Sequence, residues 1–180
     1  NRYQYDTIRS YEPEHLESPI WEQSVAPESG SANPHEAVLC GGKAFVSQYE
    51  LSFLLILDQY TGDQVGTVDI SSFGDSDGRT ESSSLVCFEE RLYVGLEGLN
   101  RDLGFSYSES SIISIDPILE EVVSNWNIGN GIQMIADPFR EGLLVSSAEW
   151  EGYPAGVYRF FPEDGDWEPI STLGQTPSRM

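Results

Sequence analysis

Short apolar strands recur along this chain at a spacing of about 48 residues, and this repeat restricts the possible folds more than any other feature. Residues 37–46 and 84–94 each contain an apolar strand, a short polar turn and a second apolar strand. Residues 133–145 form a looser third copy, and Cys40 and Cys87 occupy matching positions of the first two copies. Because Gly, Pro, Asp and Ser separate the strands and long helical patterns are missing, the sequence predicts an all-β repeat protein.

Each of these hairpins is followed by a second one, at residues 54–70, 111–126 and 156–170. In the last of them, Asp164 and Gly165 predict a short hairpin turn, because both residues can take positive φ. Four strands per repeat are what a β-propeller blade needs, and a single blade cannot bury both of its faces alone. The sequence therefore predicts an all-β chain of stacked four-stranded β-propeller blades, and a β-sandwich is the competing architecture.

The predicted blades divide the chain into four parts. Residues 37–83 and 84–131 are each one blade, and residues 132–180 are a blade with an exit segment. Residues 1–36 hold the outer strands of a preceding blade and the loop that leads into the first complete one. The total is about three and a half blades, whereas a closed propeller typically has 4–8. We therefore expect another segment or another chain to complete the ring.

The charge of the chain restricts its partners. Acidic residues outnumber basic residues by 30 to 9 among 180 residues, for a formal net charge of −21. Such a chain is poorly suited to bind nucleic acid or an anionic membrane surface through charge. The excess favours cationic partners, divalent metals or solubility alone. We expect a protein partner or a further propeller segment, with no nucleic acid and no direct membrane insertion.

Several short motifs resemble one family of propellers. Residues 33–36 read Asn-Pro-His-Glu, residues 43–46 form the next strand, and residues 54–58 lead to a Thr-Gly pair at 61–62. Together with the acidic loop at 73–81, these motifs resemble the YVTN-type β-propellers of bacterial surfaces and the periplasm, especially lipoprotein-like members from myxobacteria. The resemblance extends from residue 29 to about residue 170. It departs from the family pattern at Glu36, at Phe45-Val46-Ser47 and at Gln59.

The resemblance implies a fold and a cellular setting more than a chemistry. It implies a bacterial protein that is exported to the periplasm, the cell surface or the extracellular space and that has a binding or scaffolding role. It supplies no catalytic residues. The sequence also carries no nucleophile elbow, phosphate-binding loop or haem-attachment motif. We therefore expect a protein that is not an enzyme.

The histidines and cysteines do not form a recognisable site. His15 lies in a proline-containing loop and should be exposed, whereas His35 precedes an inner strand, where it and Asn33 would approach the central channel. A structural contact across a blade junction and a ligand or metal role both stay open for His35. We interpret Cys40 and Cys87 as small buried hydrophobic residues, because neighbouring blades often exceed the roughly 7 Å between Cα atoms that a disulfide allows.

An acidic turn is the best candidate for a metal site. Asp75 and Asp77 flank a serine ahead of Gly78, and Glu81 follows. Hard cations such as Ca²⁺ take several oxygen ligands, which acids around a glycine turn can supply. The motif is only half of a calcium-loop signature, and an ordinary acidic turn is the alternative. We expect no cofactor, and calcium binding by this turn stays open.

The order of strands in a blade predicts which loops share a face. The loop that enters a blade and the loop between its second and third strands lie on the same side, and residues 97–110 lengthen one such loop by about ten residues. Aromatic side chains among carboxylates suit protein or sugar contacts, although these rings could instead pack over the blades. The predicted partner-binding residues are Tyr49, Glu50, Phe105, Tyr107, Glu109, Trp150 and Tyr153.

These observations favour one function and leave two alternatives. The leading interpretation is a non-catalytic, exported β-propeller that serves as an interaction or scaffold subunit of a cell-envelope or extracellular assembly. The alternatives are a calcium-dependent adhesion or sugar-binding module and a propeller hydrolase or lyase that uses acids near the channel.

Overall fold

A computed structural model describes residues 6–28, 30–102, 104, 106–107, 109–129, 133–137, 139, 142–148 and 154–172. Its first element is an antiparallel hairpin of β1 (Thr7–Ser10) and β2 (Trp21–Ser24). Trp21 of this hairpin donates its indole N–H to the Gln59 carbonyl at 3.1 Å. The hairpin is thereby attached to the sheet that follows it, and its assignment to a preceding blade stays a prediction.

Three four-stranded antiparallel sheets follow, each a meander of consecutive hairpins. The connection from the second to the third strand of the second sheet contains a two-stranded ribbon of β9 and β10. The first sheet comprises β3 (Pro34–Cys40), β4 (Lys43–Gln48), β5 (Phe53–Asp58) and β6 (Gln64–Asp69). The second sheet and its ribbon comprise β7 (Ser82–Phe88), β8 (Arg91–Leu96), β9 (Leu99–Asn100), β10 (Ser106–Tyr107), β11 (Ser110–Asp116) and β12 (Glu121–Ile128). The third comprises β13 (Gln133–Ala136), β14 (Leu143–Ser147), β15 (Gly156–Phe161) and β16 (Asp166–Thr172).

These sheets confirm the predicted fold class, an all-β chain of β-propeller blades. The one helical element among the described residues is a 3-10 turn at Ser71–Phe73. We call the three sheets the first, second and third blades. No helix in the described part of the chain is long and apolar enough to cross a membrane.

The apolar core lies between the blades because both faces of a central strand are covered. In β5, Leu54 and Ile56 pack toward the second blade, whereas Leu55 and Leu57 pack toward the β1–β2 hairpin. In β8, Leu92 and Val94 face the first blade, and Tyr93 faces the third. Successive residues of a strand point to opposite faces, so near-continuous apolar runs fill two cores at once.

Side chains on the inner strands tie each blade to the next. The Glu36 carboxylate accepts the backbone N–H of Leu85 at 2.6 Å, and the Ser84 hydroxyl accepts the backbone N–H of Met134 at 3.1 Å. Glu36 and Ser84 lie one repeat apart at equivalent positions of β3 and β7. The cross-blade contact to the backbone that the sequence suggested for His35 is therefore observed for its neighbour Glu36.

The interpretation of the cysteines as separate buried hydrophobic residues was wrong. Cys40 and Cys87 form a disulfide whose Cα atoms are 5.5 Å apart, within the usual range of about 4.4–6.8 Å. Cys40 is the last residue of β3 and Cys87 is the last but one of β7, and these inner strands of adjacent blades lie against each other. The disulfide therefore links the first blade to the second.

The turn at residues 162–165 lies where the sequence predicts it, but its Asp164-Gly165 pair differs from the predicted conformation. Phe161 pairs with Asp166, so residues 162–165 form a four-residue turn, and Gly165 donates its N–H to the Phe161 carbonyl at 2.9 Å. Gly165 has a φ of 73°, but Asp164 does not adopt positive φ. Pro162 favours the first central position of a type I turn, in which both central residues have negative φ. Of residues 162–165, only Gly165 is therefore left-handed.

Candidate functional site

The two ends of the blades carry different connections. We define the loop face by residues 49–52, 70–81 and 97–109, which join the second strand of a blade to its third or one blade to the next. We define the turn face by residues 41–42, 59–63, 89–90, 117–120 and 162–165, together with Phe139 between β13 and β14, which lie in the other hairpin turns of the three blades. The loop face holds Tyr49, Glu50, Asp75, Asp77, Glu81 and Glu109, which are the fully described residues among those predicted to bind a partner or a metal.

Arg101 lies at the centre of the loop face and joins two blades. Its guanidinium donates two hydrogen bonds to the Glu50 carboxylate, at 2.7 and 2.9 Å. Arg79 Nη1 lies 3.6 Å from the same carboxylate. The hydrogen bonds from Arg101 hold the pKa of Glu50 below its ordinary value. Because Arg101 belongs to the second blade and Glu50 to the first, this bidentate pair fixes the two loops relative to each other.

Tyr49 lies beneath Arg101. Its ring stacks on His35, with centroids 4.5 Å apart and an interplanar angle of 14°. The guanidinium carbon of Arg101 lies 5.6 Å from the Tyr49 centroid, and the Tyr49 hydroxyl donates to Glu97 at 2.7 Å. Tyr49 is only 8% exposed. Packing over the blade, the alternative kept open by the sequence, is therefore the arrangement seen for this residue, and its role in binding stays a prediction.

The acidic turn organises the neighbouring loop through backbone hydrogen bonds. Asp75 accepts the N–H of Asp77 at 2.9 Å, and Asp77 accepts the N–H groups of Arg79 at 3.0 Å and Arg101 at 3.1 Å. Glu81 accepts the N–H of Leu99 at 3.3 Å. These bonds attach the long 97–109 loop to the segment that enters the second blade.

Glu81 is the acid of this network whose pKa is changed most by its surroundings. It is 0% exposed and has a φ of 42°. Its Oε1 lies 4.0 Å from Arg101 Nε, and neither atom has a hydrogen-bond partner among the described residues. Burial, with the nearby charges of Asp77 and Asp75, raises the pKa of Glu81 to about 7.

The predicted metal ligands are brought together, but most of their oxygen atoms already accept backbone hydrogen bonds. The Oδ2 atom of Asp75 and the Oε1 atom of Glu81 are the ones left without a partner. Within the part of the chain that the structure describes, no group of three His, Cys, Asp or Glu side chains is arranged to hold a metal ion. Calcium binding by Asp75, Asp77 and Glu81 stays a prediction.

The other predicted residues are placed as follows. Asn33 adopts a φ of 47° and accepts the N–H of Tyr49 at 3.1 Å, so it joins Tyr49, Glu50 and His35 in one cluster. Glu109 is exposed and accepts the side-chain N–H of Asn127 at 3.2 Å. Phe105, Trp150, Tyr153 and the side chain of Tyr107 lie outside the described residues. The central-channel role of Asn33 and His35 is not tested.

The sequence interpretation missed the residues that hold this face together. Arg101, Glu97 and Glu36 each pair across a blade boundary. One signal was available, because Tyr49 and its partner Glu97 are 48 residues apart, which is one repeat. Polar residues that recur at the repeat spacing are candidates for cross-blade contacts.

Loss of the Arg101–Glu50 pair should loosen the long loop. In Arg101→Gln, we expect the amides of Leu99 and Arg101 to exchange hydrogen about tenfold faster, since charge-assisted bonds hold this segment. Arg101→Lys should lie between this variant and the wild type, because an ammonium cannot make two parallel hydrogen bonds. Hydrogen-exchange mass spectrometry measures the effect. Arg9→Gln, which breaks the exposed pair with Glu22, is the matched control, and equal exchange in all variants would contradict the prediction.

Comparison with known proteins supports the fold and goes no further. No protein-family model matches the chain, and no curated protein matches it. The chain resembles hydrazine synthase of Kuenenia stuttgartiensis with a TM-score of 0.54 and 12% identity over 82% of this chain and 38% of that one. It resembles Sqt1 of Saccharomyces cerevisiae with a TM-score of 0.59 and 11% identity over 84% and 39%.

A third similar structure is a candidate 6-phosphogluconolactonase of Bacteroides fragilis, with a TM-score of 0.53 and 15% identity over 83% of this chain and 40% of that one. The chain thus spans about two-fifths of the length of these proteins. The likeness establishes a shared propeller architecture.

Proposed function

We propose that this chain is a non-catalytic β-propeller module that binds a protein partner through its loop face, as a scaffold subunit of a cell-envelope or extracellular assembly. The observation that supports this most is the bidentate Arg101–Glu50 pair, which joins the loops of two blades into one surface. Loops that are already ordered lose little conformational freedom when a partner binds. A preorganised face of this kind suits stable recognition.

The charge of the loop face favours a cationic partner. Asp75, Asp77, Glu97 and Glu109 lie on it, whereas its arginines Arg79 and Arg101 are paired with Glu50. A surface with excess carboxylates attracts basic proteins and repels anionic ones. The binding energy would come from the aromatic residues of the same loops, as it does at most protein interfaces.

Two features support a binding role over catalysis. Glu81, the acid whose pKa lies closest to neutrality, is fully buried, so a substrate could not reach it. Glu50 and Asp77 accept strong hydrogen bonds that order the loops. Carboxylates used in this way support the surface instead of exchanging protons with a substrate.

The disulfide supports export. Disulfides persist in oxidising compartments and are rare in the cytosol of most organisms. The Cys40–Cys87 bond therefore agrees with the periplasmic or cell-surface setting that the resemblance to YVTN-type propellers implies.

Substitution of the four aromatic residues that the sequence predicts for this face tests the proposal. Replacing Phe105, Tyr107, Trp150 and Tyr153 by Ser should weaken capture of a partner, first isolated from the source envelope with the wild type, by at least about tenfold. The matched control replaces the exposed turn-face residues Tyr60, Ile118, Leu119 and Phe139 by Ser. Titration of the purified partner measures both sets. Loss of binding in the control set with full binding in the loop-face set would disprove the assignment.

A further inference from the structure

A small, partly open cavity lies on the turn face between the second and third blades. Its volume is about 120 Å³, and it lies between the β7–β8 turn and the β15–β16 turn. Phe88 and Tyr93 of the second blade and Phe161 and Pro162 of the third form its apolar walls. Because the walls come from two blades, the cavity exists only when the blades are stacked.

Tyr93 forms a rigid part of this cavity. It is 7% exposed and packs beside Trp126, with centroids 6.4 Å apart. The rings of Trp126 and Phe160 pack edge to face with their centroids 5.0 Å apart. Phe160 in turn stacks on Trp167, with centroids 4.4 Å apart. Among the residues that the structure describes, none forms a hydrogen bond with the Tyr93 hydroxyl. A hydroxyl without a protein partner is available to a ligand or to solvent in the cavity.

Acidic residues line the rest of the cavity. Glu89 lies on one side, and Glu163 and Asp164 lie on the other. Burial raises the pKa of Tyr93, and the charges of Glu89 and Glu163 raise it further against the opposing charge of Arg91. Both carboxylates therefore act on the Tyr93 hydroxyl. None of the three acids forms an ion pair with a described residue, and Arg91 is paired with Asp116 at 3.3 Å.

The size and chemistry of the cavity select one kind of group. Sites for whole drug-sized ligands have volumes of about 300–1,000 Å³, so this cavity can hold only a single functional group. Aromatic faces attract cations through their quadrupole, and the attraction grows when water is excluded. The three carboxylates favour a positive group and oppose an anion. A neutral apolar group would fill the walls but leave these charges uncompensated.

We propose that this cavity binds an alkylammonium group, with its carbon atoms against Phe88, Tyr93 and Phe161 and its charge facing Glu89, Glu163 and Asp164. The group could belong to a free amine or to a lysine side chain of a protein, and the chemistry at the cavity is the same. The site lies on the turn face and does not depend on the loop face proposed above.

Titration with small amines tests the site directly. Butylammonium, choline and the neutral isostere 3,3-dimethylbutanol are each added to the whole chain, and indole signals are followed by NMR because Trp126 contacts Tyr93. We expect saturable shifts with a dissociation constant on the order of 1 mM for a cation and at least about tenfold weaker binding of the alcohol. Equal responses to the cations and the alcohol would overturn the proposal.

Matched charge variants locate the binding. Glu89→Gln with Glu163→Gln should weaken binding of the cation about tenfold. Glu90→Gln with Glu121→Gln removes the same charge from acids outside the cavity and should leave binding unchanged. Equal weakening by the two pairs would overturn the site and indicate attraction by net charge alone. Folding of each variant is checked by its thermal transition.

A blocked Gly-Lys-Gly peptide distinguishes the two sources of the amine. Tighter binding of the peptide than of butylammonium supports a lysine side chain in this cavity, and equal or weaker binding supports a free amine. Binding of neither to the wild type at concentrations up to about 50 mM would overturn the proposal, since this limit is well above the expected dissociation constant.

Discussion

Reduction of the Cys40–Cys87 disulfide is expected to lower the free energy of unfolding by about 4 kcal/mol. The bond joins residues that are 47 positions apart, and a loop of this length restricts the unfolded chain by about that amount in the loop-entropy model. The bond also holds the inner strands of two blades together, so its loss should weaken the contact between them. Urea unfolding of the oxidised and reduced wild type measures the change without any substitution.

Two controls make the disulfide experiment decisive. Thiol titration should find two additional thiols after reduction, because both cysteines of the chain are in the bond. The double variant Cys40→Ala and Cys87→Ala should unfold near the reduced protein and should not respond to reductant. Identical stability of the oxidised and reduced forms, with the thiols fully titrated, would show that the blades do not depend on the bond.

Glu81→Gln is expected to increase stability at alkaline pH relative to the wild type. Burial raises the pKa of Glu81 from an ordinary value of 4.5 to about 7. Between these values the unfolded chain has released the proton and the folded chain retains it, so the contribution of Glu81 to stability falls as pH rises. It is fully present below pH 4.5 and is lost once the pH exceeds 7.

The size of the effect follows from the same linkage. Between pH 5 and pH 8.5, the stability of Glu81→Gln should rise relative to the wild type by about 2.5 kcal/mol. Urea unfolding at intervals of half a pH unit measures the difference. Glu14→Gln removes the same charge from an exposed position and should show no comparable trend. A difference between Glu81→Gln and the wild type that does not change with pH would mean that Glu81 does not titrate near neutrality.

The candidate site could be predicted only in part. The strand order placed Tyr49 and Glu50 on the same face as the 97–109 loop, and the structure brings these segments together. The sequence did not show that Tyr49 is buried or that Arg101 is the residue that pairs with Glu50, 51 positions away. An ion pair between blades depends on how closely the blades stack, which the residues near Arg101 do not encode.

Local sequence pattern determined the blades themselves. Short apolar runs separated by turns such as Gly41-Gly42 suffice to form four-stranded meanders. Pairing between strands that are neighbours in sequence depends on the alternation of side chains along each strand and on the residues of the turn. The tertiary structure alone decided the Cys40–Cys87 bond, the raised pKa of Glu81 and the cavity beside Tyr93. Each of these depends on distances between blades, and those distances are set by how all the side chains of two cores pack against each other.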